Sequence, residues 1–410
     1  MRRPGFLLLS GLSVLCGCIV YGQQAQPIPG PLPTFTRVRP IAPPATPLPS
    51  EAASANITRF AFIAYGDTRC DCRVPEGADA RRLLPAKPET EPDHRAVIDA
   101  LLEKVKTLNG GPDRVRFVVQ SGDAVWRGPD SERWNDVFTP IVERVTKGAN
   151  LPFFFVPGNH DVTGMPAGDP DHSIGLHNTL SAVSKLIPPE GSPRRLAGYA
   201  TFSIAFGNTF LIGLDSNIPG DVTQLAWVSD QLDHLDKNRY KNIVVFMHHP
   251  AFSSGRYSGA SSSQLLPNGT PVAAGGLSPQ ALVIRGLYMP LFRKHHVKLF
   301  LAGHDHLFDH WTEHYTRDGR AHRLDQIISG GGGAPTYVYT AEPDLREYET
   351  LAAADHVRVE HVARPGPKLE DNPHHFLVVY VDGEKLSVEV VPSHGTYTPY
   401  NGKSRIDLQP

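Results

Sequence analysis

The sequence predicts an α/β fold whose functional residues gather along one edge of the sheet. Three observations lead there. Six short apolar runs recur along the chain, helical segments sit between them, and every run stops at a polar cluster. Continuous rather than alternating apolar runs mark strands covered on both faces. Strands that alternate with helices bind ligands outside their carboxyl ends, which is where all six clusters fall.

Taken in order, residues 60–65 lead into Gly66-Asp67-Thr68-Arg69, and 115–120 into Ser121-Gly122-Asp123. Residues 152–157 lead into Gly158-Asn159-His160-Asp161, and 210–214 into Asp215-Ser216-Asn217. Residues 242–247 lead into His248-His249-Pro250, and 297–301 into Ala302-Gly303-His304-Asp305-His306. Between them, 93–108 carries apolar residues at helical spacing and stops at Asn109-Gly110, a C-cap signal. Residues 131–146 repeat the pattern, Thr223 is placed to cap a third helix, and 282–295 is a fourth candidate. Residues 374–391 read as two strands around Asp382-Gly383, a hairpin signal. Residues 341–373 are charged and contain prolines, and have no assignment.

The two ends differ from this middle. Residues 1–22 read as an export signal, Arg2 and Arg3 preceding an apolar core over 6–20 that is too short to span a bilayer comfortably. Cleavage after Gly22 would free the chain into the periplasm or medium. Leu15-Cys16-Gly17-Cys18 also resembles a lipoprotein box, and a lipidated Cys18 would anchor the chain to a membrane; free export is the first reading. Residues 23–56 are rich in Pro, Ala and Gln, without periodicity, and are expected to form a disordered tether. Cys70 and Cys72 would pair in an exported protein only if their very small ring met strict disulfide geometry.

Composition is that of an ordinary globular protein: 410 residues, 40% apolar, 20% charged. A net charge of −2 carries no nucleic-acid-binding signature. No protein partner is inferable. The glycine run 330–333 is followed by no lysine and is not a nucleotide-binding P-loop.

The clusters supply the chemistry. Asp67, Asp123, Asn159, His248, His304 and His306 are the candidate metal ligands. Carboxylate, amide oxygen and imidazole together suit Zn, Mn or Fe better than Ca or Mg. A bridging carboxylate would set two ions about 3.5–4 Å apart, the spacing used for displacement at phosphorus. The alternative for each of these residues is a turn or capping role at a strand end. Their joint occurrence disfavours it. His249, before Pro250, reads better as packing, and Asp215 as structural. His172, His177, His310 and His314 read as ordinary loop residues. Residues 252–276 form a Ser/Gly-rich loop, either a lid bringing Arg256 and Tyr257 to a substrate or a plain excursion.

The ordered set Gly66-Asp67, Gly122-Asp123, Gly158-Asn159-His160-Asp161, Val245-Phe246-Met247-His248 and Gly303-His304-Asp305-His306 resembles the calcineurin-like metallophosphoesterases, and within them the purple-acid-phosphatase-like branch, over about residues 58–340. The resemblance implies a four-layer αββα sandwich, two mixed β-sheets flanked by helices, here a domain over 57–395 followed by a tail over 396–410. It implies that Asp67, Asp123 and His306 hold one ion and Asn159, His248 and His304 a second, with Asp123 bridging. His160 would bind substrate phosphate and protonate the leaving oxygen, and Asp161 would orient the His160 ring. Two positions depart from the family pattern. Arg69 replaces a histidine common two residues after the first aspartate, and Trp126 replaces the purple branch's tyrosine. An indole cannot ligate through oxygen. Arg69 would either repel the first ion or turn outward onto a phosphate oxygen.

The expected function is therefore an exported, binuclear metal-dependent phosphoesterase acting on small phosphate esters. Its rivals are a phosphodiesterase or nucleotide pyrophosphohydrolase of the same fold, and a metal-poor, non-catalytic phosphate-binding protein.

Overall fold

Phe60, Phe62, Phe117 and Phe153 are fully or almost fully buried and alternate with equally buried Ala61, Ile63, Val118 and Phe154. Strands apolar on both faces need cover on both sides, and the fold supplies it. The computed structural model describes residues 37–69, 91–163, 169–259 and 277–408. The export signal, the tether up to residue 36, Cys18, Cys70, Cys72 and residues 260–276 lie outside the described residues.

The strands are β1 (Arg59–Tyr65), β2 (Val115–Gln120), β3 (Phe153–Phe155), β4 (Phe202–Phe206), β5 (Thr209–Gly213), β6 (Asn242–Phe246), β7 (Leu299–Ala302), β8 (Phe308–Arg317), β9 (Arg320–Ser329), β10 (Arg358–Ala363), β11 (His375–Asp382), β12 (Lys385–Pro392) and β13 (Arg405–Asp407). One sheet has the order β13-β12-β11-β1-β2-β3, the other β10-β8-β9-β7-β6-β5-β4. Both are mixed. β1, β2 and β3 run parallel, as do β5, β6, β7 and β9, while the hairpins β11–β12 and β8–β9 are antiparallel.

The sheets pack face to face through aromatic rings. Phe117 of β2 meets Phe206 of β4 at 6.1 Å, and Phe154 of β3 meets Phe202 of β4 at 6.2 Å. Helix Pro92–Leu108 covers the first sheet through Val97, Ile98 and Leu101. Helix Val222–Asp233, with Val228 and Leu232, covers the second together with Met289 and Phe292. This is the expected four-layer sandwich, and parallel β1, β2, β3, β6 and β7 end at the shared edge between the sheets.

Several local expectations change. Asp221, not Thr223, caps the third helix, its carboxylate accepting the Gln224 N–H at 2.8 Å. Asn109 ends its helix in right-handed geometry, and Gly110 after it is not among the positive-φ glycines, so it makes no left-handed cap. Residues 37–56 are no loose tether: Val38 and Ile41 are buried in the main core, and the Ile41 N–H donates to Ala182 O at 2.9 Å. The proline-rich composition hid two apolar anchors. The C-terminal segment adds β13 as an edge strand. His310 lies on β8, fully buried between Asp325 (2.8 Å) and the Tyr400 hydroxyl (3.1 Å), rather than in a loop.

Candidate metal centre

Each donor leaves its strand on a tight turn. Asp67, Asp123 and His304 have positive φ angles of 60°, 55° and 74°, a conformation that costs non-glycine residues energy and clusters at functional sites. The glycines make the close approach. A Cβ on Gly158 would stand 2.2 Å from Asp123 Oδ1, and one on Gly303 would stand 2.3 Å from Asp67 Oδ2. Backbone N–H groups then fix the carboxylates. The His304 N–H donates to both Asp67 oxygens (3.1 and 3.0 Å), and the His160 N–H donates to Asp123 Oδ1 (2.9 Å).

The six candidate ligands come together, as two unequal halves. In one half, Asn159 Oδ1 lies 3.0 Å from both His248 Nε2 and His304 Nδ1. Those two nitrogens are 3.2 Å apart, and Asp123 Oδ1 is 3.4 Å from His248 Nε2. A tetrahedral ion with metal–nitrogen bonds of about 2.1 Å spaces its donors about 3.4 Å apart, so this set fits one ion. His248 donates its Nδ1–H to Ser121 O at 3.0 Å, which turns a bare Nε2 lone pair into the cluster. His249 was read as packing, yet one of its ring nitrogens lies within 4.8 Å of donors of His248 and His304. Its other tie is to Ser216 Oγ at 2.9 Å. The doublet His248-His249 was the signal for it.

In the other half, His306 donates Nδ1–H to Pro335 O at 2.8 Å and turns Nε2 inward, 3.5 Å from Asp67 Oδ1. There it meets a guanidinium. Arg69 Nη2 is 3.1 Å from His306 Nε2, and Arg69 Nε is 3.3 Å from Asp123 Oδ2, within ion-pair range but off the line of a hydrogen bond. The Arg69 Cζ sits 4.7 Å over the Trp126 ring. The two expected ion positions therefore differ. One is a cluster of bare lone pairs, and the other already faces a cation. With the guanidinium between His306 and Asp123, the set Asp67, Asp123 and His306 does not fit an ion, although donor atoms of Asp67 and Asp123 also lie within 4.8 Å of one another and of a His248 nitrogen.

Electrostatics follow from burial. Burial and the neighbouring Asp123 push the Asp67 carboxyl well above the usual carboxylate range. Burial acts the same way on Asp123, but His248, His160 and Arg69 outweigh it and hold its carboxyl below that range. Burial lowers His248, His304 and His306, with His249 and His248 adding to the shift of His304 and Arg69 to that of His306. All three imidazoles therefore favour the neutral form, which is the form that ligates.

His160 is half-buried, with its Nδ1–H on Trp126 O at 2.8 Å and its ring 4.8 Å from the indole. Asp161 does not orient that ring. Its carboxylate accepts the N–H groups of Ala124 (3.0 Å), Val125 (3.2 Å) and Gly158 (2.7 Å), tying the β2 and β3 turns together. Asp215 is structural, as read, accepting the Asn217 N–H at 2.9 Å.

A rim of rings covers the centre. Tyr257 stacks on His304 at 4.1 Å and Tyr337 on His306 at 4.2 Å. Arg256 lies 5.8 Å from the Tyr257 ring and 5.6 Å from the Tyr337 ring. Asp305 holds this loop, accepting from the Ser253 hydroxyl and the Tyr257 N–H (3.3 Å). The described part of the 252–276 loop thus brings Arg256 and Tyr257 to the site. Tyr337 and Asp305 had no role in the sequence reading, because only the fold brings them beside the histidines.

No curated protein sequence matches the chain. Among solved structures, a purple acid phosphatase from yellow lupin (Lupinus luteus) seeds superposes with a TM-score of 0.51 at 14% identity, over 85% of this chain and 54% of the lupin chain. The chain thus spans about half the length of that enzyme, and the likeness is one of fold. GAP50, described as the anchor in the inner membrane complex of Plasmodium, has a TM-score of 0.43 at 14% identity, over 85% of this chain and 87% of its own. The family model for calcineurin-like phosphoesterases matches residues 62–308, more than half of the chain and the whole span of the donors from Asp67 to His306. The chain belongs to the calcineurin-like phosphoesterase family.

Proposed function

We propose that this protein is an exported, metal-dependent phosphoesterase that hydrolyses small phosphate esters at the centre between its two sheets. The observation that carries the reading is the meeting of Asp123 Oδ1, Asn159 Oδ1, His248 Nε2 and His304 Nδ1 at 3.0–3.4 Å. Lone pairs this close repel unless a metal ion, or a proton on His304 Nδ1, lies among them. A bound ion of the Zn, Mn or Fe type would polarise a phosphoryl oxygen and lower the pKa of water toward neutrality.

The chain's own residues supply the rest. The Asp67 carboxylate, held by the His304 N–H, keeps the β1 turn against the β7 turn. The His160 Nδ1–H is committed to Trp126 O and burial favours the neutral ring, so Nε2 is the free nitrogen; it must first take up a proton, and passes that proton to the leaving oxygen from the doubly protonated ring. Arg256, between Tyr257 and Tyr337, is placed to take a phosphate oxygen. The Tyr257 and Tyr337 rings keep bulk water off the histidines.

Export is supported by Arg2, Arg3 and the apolar residues that follow. Among the described residues no helix is long and apolar enough to cross a membrane. Cell fractionation and the N-terminus of the mature chain test this part, with lipidation of Cys18 as the second outcome.

The activity test is hydrolysis of p-nitrophenyl phosphate with added Mn, Zn or Fe. Turnover that disappears on chelation is expected. No turnover with any metal removes the enzyme reading in favour of a phosphate-binding protein. One observation favours a second reading: Trp126, Tyr257 and Tyr337 present three rings around the centre, a surface on which a base or aryl group can stack. Faster turnover of bis-p-nitrophenyl phosphate than of the monoester would select the phosphodiesterase.

A further inference from the structure

We infer that Arg69 is a built-in cation at one of the two positions where an ion was expected, so that the chain takes one metal ion rather than two. The inference rests on the reading of this centre as a metal site.

The first argument is space. An ion held by Asp67, Asp123 and His306 needs the inward lone pairs of those residues. Arg69 Nη2 stands 3.1 Å from His306 Nε2, and Arg69 Nε stands 3.3 Å from Asp123 Oδ2. The guanidinium lies among the donors themselves.

The second is attachment. The side chain of Arg69 is 9% exposed, and its Cζ sits 4.7 Å over Trp126. Its main chain is pinned as well: the N–H groups of Thr68 and Arg69 both donate to Asp123 O, at 2.9 and 3.1 Å. To swing outward, Arg69 must leave a buried carboxylate, an imidazole lone pair and an indole face together. The two positions that depart from the family pattern are thus the two halves of one cation–π pair. Arginine keeps its charge at any working pH and cannot yield by losing a proton, as lysine would.

The third is charge. Asp67 and Asp123 are the two acidic side chains of the six-residue donor set, which therefore brings at most two negative charges to this pocket. One divalent ion and one guanidinium already exceed that charge. A second divalent ion would sit in low dielectric within a few ångströms of a fixed positive group, where repulsion is strong. The other half of the centre lacks this obstacle.

The test is a metal count on the full-length protein, stripped with a chelator, reloaded with Mn(II) and dialysed. One Mn per chain by elemental analysis is expected, with an uncoupled six-line EPR spectrum. Arg69→Ala should raise the count to two and bring an exchange-coupled signal, because Asp67, Asp123 and His306 are then free to ligate. Asp67→Asn should leave the wild-type count at one. Two Mn per wild-type chain with a coupled spectrum overturns the inference, as does an Arg69→Ala protein that still takes one. Should Arg69→Ala not fold, the wild-type count and the Asp67→Asn count decide alone. Uptake of no metal by folded protein sinks the metal centre as a whole, whereas uptake of two sinks only the role of Arg69.

Discussion

Asn159, His248 and His304 gather their donor atoms around one another, whereas His306 Nε2 and Asp123 Oδ2 face a guanidinium. Both halves of the centre draw on the same kinds of turn at the same sheet edge. The difference between them is a single side chain two residues beyond Asp67. It teaches that a donor set read from sequence names the atoms available and not the cation that holds them. One half offers a donor set that could hold a metal ion; the other carries its own positive charge.

The largest effect should come at the residue shared by both halves. Asp123 Oδ1 faces His248 Nε2 at 3.4 Å and takes the His160 N–H at 2.9 Å, while Oδ2 faces Arg69 Nε at 3.3 Å. Asp123→Asn should lower kcat/KM by about 10³-fold or more, about 4 kcal/mol of transition-state stabilisation. Near-normal kinetics in that variant would break the comparison at its hinge.

His160 touches Asp123 through its backbone but is no member of either donor set. His160→Ala should cost on the order of 10²-fold in kcat and leave the metal content unchanged. Loss of metal in this variant would move His160 into the ligand set and redraw the boundary between the halves.

How much of this was legible in the sequence follows from what each feature depends on. β1, β2, β3, β5, β6 and β7 could be read because burial on both faces writes a continuous apolar run. Their ends could be read because parallel topology sends every such run to one edge. Asp161 was misassigned because its partners are the backbone amides of Ala124, Val125 and Gly158, and amides have no sequence signature. Tyr257 and Tyr337 lie 47 and 31 residues from the histidines they cover, counting 257 to 304 and 306 to 337, so only the fold pairs them. Arg69 was noticed, and both of its outcomes were open. The sequence could not show that the Trp126 ring would lie beneath it and turn it inward.

The rim sharpens the comparison from the substrate side. Tyr257 covers the metal-fitting half through His304, Tyr337 covers the arginine half through His306, and Arg256 lies near both rings. Arg256→Ala should raise KM about tenfold, the ~1.4 kcal/mol of a charge-assisted contact, with a smaller change in kcat. An unchanged KM would mean that Arg256 serves the rim and not the substrate.

The smallest effect concerns the scaffold behind the rim and is read as stability. Asp309 accepts the N–H (2.8 Å) and hydroxyl (2.9 Å) of Ser254, two residues before Arg256, and its other oxygen meets His361 Nε2 at 2.6 Å. His361 Nδ1 lies 2.9 Å from Glu342, which also pairs with Arg364 at 2.6 Å, and its ring stacks on Trp311 at 3.8 Å. Burial works against charging this ring, but the hydrogen bonds to Asp309 and Glu342 outweigh it and raise its pKa to about 9. A histidine whose folded pKa exceeds its unfolded value of about 6.5 stabilises the fold fully below that pH. The contribution is then lost as pH rises through about 9. Wild-type Tm should therefore fall by a few degrees between pH 7 and pH 10, corresponding to roughly 2–3 kcal/mol. His361→Gln, which keeps a hydrogen-bonding side chain without the charge, should flatten that part of the profile while leaving metal content at wild type. An identical slope in both proteins would detach the Asp309–His361 pair from the stability of the Ser254 loop. The rim would then owe its position to Asp305, through the Ser253 hydroxyl and the Tyr257 N–H, and to the Ser254 carbonyl, which accepts the N–H groups of Thr340 (2.8 Å) and Ala341 (3.2 Å).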